Sequence, residues 1–313
     1  MVVLSHQPVL VKEALEGLAL VGDGWYVDGT YGRGGHSAGI LAHLGEQGRL
    51  LALDKDPEAV AHARLRFAGD PRFSVRQSGF EDLAEAVGPW LGGHRLGGVL
   101  LDLGVSSPQL EAPERGFSFT KDGPLDMRMN PTEGATAAEW LAHVDERELC
   151  AVLKRFGEEP RARPIARAIV RARENTPIAT TGQLAAILER AAGQRRRRVH
   201  PATRVFQAIR IYINDELRAL ERGLNHCVGL LSQGGRLCVI SFHSLEDRIV
   251  KRFMARAARG DPAYAGLPEI PLHARPTLRL IGGLIRPAEH EIGANPRARS
   301  ARLRVAERIG APA

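Results

Sequence analysis

The run Asp28-Gly29-Thr30-Tyr31-Gly32-Arg33-Gly34-Gly35-His36 follows the short apolar stretch Trp25 to Val27, and Asp54 closes the next apolar stretch, Leu50 to Leu53. Four glycines within seven residues let a chain turn sharply and bring its backbone against a ligand. The β-prone run before them makes this the turn that leaves a strand of a parallel sheet. Asp54 lies 20 residues beyond Gly34, the offset at which doubly wound folds place an acid that accepts from ribose hydroxyls. A ribose-bearing ligand is expected.

Three cofactor classes use such loops. A dinucleotide fingerprint needs G-x-G-x-x-G, and the nearest register, Gly32 to Ser37, ends in Ser. A phosphate-binding loop needs Lys after its last Gly, where this chain has Gly35-His36. The acid-first form D-G-T-x-G-x-G-G that remains resembles the S-adenosylmethionine loop of class I methyltransferases, in which no pyrophosphate has to be neutralised.

Apolar runs at Trp25 to Val27, Leu50 to Leu53, Phe73 to Val75, Val99 to Leu103 and Leu237 to Ser241 predict strands, the last beginning at Gly235. Helical patterns at Pro57 to Phe67 and Phe80 to Trp90 separate the earlier ones, which is the alternation of a parallel α/β sheet. From Val105 to about His200 the pattern is loop and helix only, with amphipathic segments at Ala135 to His143, Glu146 to Phe156, Ile165 to Arg173 and Gly182 to Ala192. Nearly a hundred residues between successive strands is too long for a loop, so an inserted helical domain is expected at 111–200, with 1–110 and 201–313 forming the sheet domain. Pro201 opens a helix that should return the chain to the sheet, and Leu278 to Ile281 with Leu303 to Ala306 should pair as an antiparallel hairpin.

Charge is segregated. Between Lys154 and Arg204 there are thirteen Lys and Arg against four Glu, in a chain of net charge +7. Such a local excess, with Arg195-Arg196-Arg197-Arg198 at its densest, fits a polyanion-binding face. The three cysteines, Cys150, Cys227 and Cys238, have no metal-ligand or disulfide-framework spacing and read as thiols in a reducing compartment. No secretory leader and no apolar run long enough for a membrane helix is visible, so a cytoplasmic protein with no metal and no membrane partner is expected.

In an open α/β sheet the ligand lies beyond the carboxyl ends of the strands. After the third strand, Phe80 offers a face for an adenine. After the fourth comes Asp102-Leu103-Gly104-Val105-Ser106-Ser107-Pro108-Gln109, where Ser107-Pro108 partly resembles the D/N/S-P-P-aromatic loop with which amino-methyltransferases hold a poorly nucleophilic amine. After the fifth, Ser244 with Asp247 approximates a capping box, and His243 offers an imidazole that can take a proton or bind substrate.

These segments, together with His6 to Leu10, Arg115 to Phe119, Leu125 to Met129, Ser241 to Arg248 and Asn295 to Ala301, resemble the bacterial small-subunit ribosomal RNA methyltransferase H family over almost the whole chain. The resemblance implies a class I (Rossmann-like) methyltransferase sheet with an inserted all-helical domain. It implies methyl transfer from S-adenosylmethionine to the N4 amine of one cytidine in the decoding region of 16S ribosomal RNA, carried in the small ribosomal subunit. It carries cofactor contacts onto Gly34, Gly35, His36, Asp54, Phe80, Asp102 and Gln109. Asp102, Ser107 and His243 are the catalytic candidates, and Arg195 to Arg198 the candidates for RNA contact. An assembly factor that binds RNA on the same fold is the alternative, a nicotinamide-dependent dehydrogenase a distant third, and a homodimer is left open.

Overall fold

The computed structural model describes residues 8–192, 200–264 and 269–310. The His6-Gln7 pair and the Arg195 to Arg198 block lie outside the described residues. The chain divides into two compact units, one formed by 1–104 with 217–313 and the other by 105–216.

The first unit is built on seven strands: β1 Trp25–Asp28, β2 Arg49–Asp54, β3 Phe73–Gln77, β4 Leu96–Asp102, β5 Leu231–Ser241, β6 Leu278–Ile285 and β7 Arg302–Arg308. Their order across the sheet is β3-β2-β1-β4-β5-β7-β6. The pairings among β1 to β5 are parallel, and β7 runs antiparallel to both β5 and β6. This is the α/β sheet expected of a class I methyltransferase, with the anticipated terminal hairpin at one side of it.

Continuous apolar runs suit strands covered on both faces, and side-chain alternation divides them. Val27, Leu51, Leu53, Val99, Leu101 and Val239 meet Leu220, Leu224 and Cys227 of the helix Glu216–Leu230. Tyr26, Leu50, Leu100, Cys238 and Ile240 face the other way, onto Ala14 and Leu18 of the helix Val11–Leu18 and Ile40 and Leu41 of the helix Gly35–His43. Each fully buried Leu or Ile contributes about 1.5–3 kcal/mol, so the carboxyl edge of the sheet rests on a rigid base. All three cysteines are free; Cys227 and Cys238 lie within these cores, and burial pushes the Cys227 thiol up to about 12. Among the described residues no helix is long and apolar enough to cross a membrane.

Three elements of the first unit differ from their sequence pattern. The helix Val11–Leu18 does not stand out in the sequence, because it is only eight residues long and no side chain caps its start. The helix expected at Phe80 to Trp90 is a 3-10 turn, Phe80–Asp82, followed by the helix Leu83–Leu91. The fifth strand begins at Leu231, four residues before Gly235, with a register irregularity against β4.

The second unit consists of the helices Ser107–Glu111, Ala137–His143, Glu146–Gly157, Ala162–Asn175, Thr181–Ala192 and Pro201–Ile213 with their connections, and one isolated bridge between Pro124 and Thr180. The insert boundary expected at 200 falls instead after Glu216. The reason is packing: Val205, Phe206 and Ile209 belong to the same core as Leu149, Leu153 and Ile165. At Gly157 a side chain would sit 2.6 Å from the Arg204 carbonyl oxygen, so these helices cross at backbone contact. The Gly/Pro-rich segment before the helices is also tied down. Arg115 donates to the carbonyls of Arg128 and Met129, and Asn214 bonds Met127 and Met129 through its side chain.

Candidate active site

The loop after β1 is stitched to the strands on either side of it. Gly29 N–H donates to Leu100 of β4 and Tyr31 N–H to Leu53 of β2, both at 2.9 Å. Gly34 takes φ +68° and caps the helix Gly35–His43, and a Cβ there would strike the Tyr31 ring. Only glycine satisfies both conditions without strain.

Asp28 ends β1 fully buried. Its Oδ2 accepts the Ser37 hydroxyl at 2.6 Å and its Oδ1 accepts Thr30 N–H at 3.2 Å. Burial raises its pKa against the pull of these bonds and of His36. Asp28, Thr30 and Ser37 do not stand out individually in the sequence. The signal available for them was an acid closing an apolar strand with small hydroxyl residues two and nine positions on.

Asp54 ends β2 and holds two backbone amides. Gly32 N–H donates to Oδ2 at 2.8 Å and Asp56 N–H to Oδ1 at 2.9 Å. Burial pushes its pKa up to about 6 in spite of both bonds. A carboxylate oxygen can accept more than one hydrogen bond, so Asp54 keeps capacity for ligand hydroxyls. Next to it, Lys55 Nζ lies 2.5 Å from Glu81 Oε1. Phe80 opens the 3-10 turn, and its ring packs against Gly223, where a Cβ would come within 2.6 Å of Cδ2. Phe80 is therefore anchored in the core.

Asp102 ends β4. Its backbone N–H donates to Thr30 Oγ1 at 2.6 Å, and its Oδ2 lies 3.4 Å from Nε2 of His36. Asp102 Oδ1 is buried without a hydrogen-bond partner among the described residues, as are both ring nitrogens of His36, a residue only 4% exposed. Burial pulls the His36 pKa down, but the Asp102 carboxylate and the charges of Asp28 and Glu291 outweigh it and the net shift is upward.

His243 has a different surrounding. It is the N-cap of the helix Ser244–Arg259: Nδ1 accepts Glu246 N–H at 3.3 Å, and Glu246 Oε2 accepts the amides of Phe242 and His243. The capping box is therefore His243 with Glu246, which corrects the expected Ser244 with Asp247. Asp247 instead receives Arg304 and Arg302 of β7 at 2.7 and 2.8 Å, and these two partners hold its carboxyl low although burial opposes them. Nδ1 of His243 is taken up by this cap, and Nε2, 3.1 Å from Glu246 Oε1, is buried without a hydrogen-bond partner among the described residues.

Ser107 and Gln109 belong to the second unit. Ser106 caps the short helix Ser107–Glu111, and buried Gln109 completes the box by accepting Ser106 N–H at 2.9 Å through Oε1. The first unit thus brings together Asp28, His36 and Asp102, and separately Gly32 and Asp54.

Comparison with known proteins adds an independent observation. A sequence model of the MraW methylase family matches residues 3–309. The chain is 54% identical to a Xylella fastidiosa protein named Ribosomal RNA small subunit methyltransferase H, over 98% of each chain. It is 54% identical to the protein of that name from Stenotrophomonas maltophilia, covering 98% of this chain and 94% of the relative. For the one from Thioalkalivibrio sulfidiphilus the identity is 56%, over 97% of this chain and 98% of the relative.

Proposed function

The chain belongs to the MraW methylase family, and we propose that it methylates 16S ribosomal RNA at the N4 amine of one cytidine in the decoding region, with S-adenosylmethionine as methyl donor. The observation that carries this reading is Asp102 at the end of β4: a carboxylate with its backbone fixed by Thr30 and one buried oxygen left to accept.

The residues fit the cofactor. Asp54 has acceptor capacity for ribose hydroxyls, the left-handed turn at Gly34 lets the loop backbone close over the sheet edge, and no Lys stands where a pyrophosphate would need one. Gly34, Gly35 and His36 through the backbone of the loop, with Asp54, Phe80 and Asp102, are the residues of the first unit that would hold it. When bound, S-adenosylmethionine supplies a methyl group on a positively charged sulfur, and in direct in-line transfer the methyl–sulfur bond breaks as the bond to the amine nitrogen forms, releasing one amine proton.

The acceptor is a poor nucleophile because its lone pair is delocalised into the ring. A hydrogen bond from the amine to Asp102 Oδ1 localises that lone pair on nitrogen and directs it, a gain of orientation and electrostatics together. His243 has a structural role as the cap of the helix Ser244–Arg259.

The second unit supports an RNA substrate. Arg163, Arg167 and Arg171 are exposed on the helix Ala162–Asn175, four residues apart, so successive guanidinium groups rise by about 6 Å along one side. Such a line can follow the phosphates of one strand, while the target base is unstacked to reach its pocket. A small ribosomal subunit in the cytoplasm is the natural carrier of this RNA.

The test is transfer of a tritiated methyl group to small ribosomal subunits, followed by nucleoside mass spectrometry. Incorporation of one methyl per subunit, recovered as N4-methylcytidine, is expected. Binding to subunits without incorporation overturns the enzyme reading in favour of an assembly factor, and a methyl at another atom overturns the assignment of the acceptor.

A further inference from the structure

We propose that His36 is a positioning residue for this reaction: its imidazole holds the Asp102 carboxylate by Oδ2 so that Oδ1 is presented to the incoming amine. The inference rests on the methyl-transfer reading above and adds a residue whose side chain that reading leaves without work.

The argument begins from what a buried histidine ordinarily does. Buried polar groups are hydrogen-bonded in the great majority of cases, and each exception calls for a reason. A histidine kept only for packing would satisfy at least one ring nitrogen with a carbonyl or hydroxyl nearby. His36 is 4% exposed, yet neither ring nitrogen has a hydrogen-bond partner among the described residues. The polar atom the structure sets beside it is Asp102 Oδ2, 3.4 Å from Nε2.

The backbone explains why His36 is there. It occupies the first turn of the helix Gly35–His43, whose entry is set by Gly34 at φ +68°. The next residue, Ser37, ties the same turn to Asp28 at 2.6 Å. On the other side, Thr30 Oγ1 accepts from the Asp102 backbone amide at 2.6 Å. The imidazole and the carboxylate are therefore each anchored independently, and their approach follows from two fixed backbones. Neither depends on a flexible side chain finding its partner.

The charges facing His36 come from three elements: Asp102 on β4, Asp28 on β1 and Glu291 on the helix Glu289–Ala294. Asp28 spends both oxygens on Ser37 and Thr30, and Glu291 Oε1 accepts Leu10 N–H at 2.6 Å. Asp102 alone of the three has a second oxygen, Oδ1, that is buried and without a hydrogen-bond partner among the described residues. Holding one oxygen leaves the other defined in direction, which is what an amine acceptor requires.

The experiment is a double-mutant cycle on the full-length protein with small subunits as substrate, using His36→Ala, Asp102→Ala and the pair, with His36→Gln as the conservative variant. Melting temperature and S-adenosylhomocysteine affinity are measured for each. The expected result for His36→Ala is a kcat lower by roughly tenfold to a hundredfold, with KM and S-adenosylhomocysteine affinity within about threefold of wild type. His36→Gln, whose amide can donate to the same oxygen, recovers part of that loss. The double variant is no slower than Asp102→Ala, because a residue that acts only through another adds nothing once the other is gone. Additive losses overturn the proposal, as does a fall in S-adenosylhomocysteine affinity equal to the fall in kcat, or a Gln variant as slow as Ala at equal melting temperature. These outcomes need an active wild-type enzyme. A wild-type protein that methylates nothing is a separate result, which removes the function proposed above and this inference with it.

Discussion

The amide of Gly32 donates to Oδ2 of Asp54 at 2.8 Å, so the loop after β1 and the end of β2 form one hydrogen-bonded piece. The same carboxylate takes Asp56 N–H on its other oxygen. Anything that changes the charge of Asp54 changes both the loop after β1 and the start of the next helix at once.

Burial pushes the Asp54 pKa up to about 6, above its ordinary value of 3.8. The folded state therefore binds more protons than the unfolded state between about pH 4 and 6, and this group's contribution to stability falls as pH rises through that window. Ligand binding runs the other way, because ribose hydroxyls need the ionised acceptor. Calorimetric titration with S-adenosylhomocysteine should show affinity weakening as pH drops from 7.5 to 5, with an inflection near 6. Asp54→Asn should lower affinity and remove the inflection. A flat profile in the wild type would separate Asp54 from the ribose.

Gly34→Ala forces a Cβ into a left-handed conformation, which costs roughly 1–2 kcal/mol, and aims it at the Tyr31 ring. The loop must open to relieve the clash. Loss of S-adenosylhomocysteine binding by more than about tenfold is expected, since 1.4 kcal/mol is a factor of ten. Circular dichroism should show the fold retained at 25 °C.

Charge reversal of Arg163, Arg167 and Arg171 to Glu should weaken RNA binding strongly and reduce the slope of log affinity against log salt by about 2–3. Affinity for S-adenosylhomocysteine should not change. Filter binding to a decoding-region fragment at several salt concentrations reads the slope. An unchanged slope assigns the line of arginines to solvent. Arg167 also faces Glu146 at 3.4 Å, but an exposed pair of this kind is worth little.

His243→Ala removes the acceptor that caps the helix Ser244–Arg259. Loss of an N-cap costs about 0.5–2 kcal/mol, so a melting temperature lower by a few degrees is expected. Methyl transfer at 25 °C should stay within about threefold of wild type. A drop of a hundredfold at unchanged stability would return His243 to the reaction.

The parts of this protein that could be read from its sequence are those that local chemistry dictates. The acid-first glycine loop, the strand-end position of Asp54 and the buried strands announced themselves because sterics and alternation each act over a few residues. The position of β7 between β5 and β6 did not, because nothing in residues 302–308 names the neighbour they pair with. The approach of His36 to Asp102 spans 66 positions and exists only once β1 and β4 lie side by side. At His243 the familiar Ser-x-x-Asp pattern pointed one residue too far along. An imidazole nitrogen stands in for the hydroxyl, and Glu246 takes the place given to Asp247. The insert boundary was misread for a similar reason: the stripe Phe206, Ile209 and Ile213 shows that a helix is buried without showing in which core.

The place of β7 also sets a timetable. A chain leaves the ribosome N-terminus first, so residues 105–216, a continuous stretch with a core of its own, are complete while the first unit still lacks half its chain. When β5 forms, the flank it will share with β7 stays open until Arg302–Arg308 has been made, some sixty residues later. An open strand flank invites wrong partners. The newborn protein is thus most vulnerable to misassociation during the interval between its fifth strand and its last.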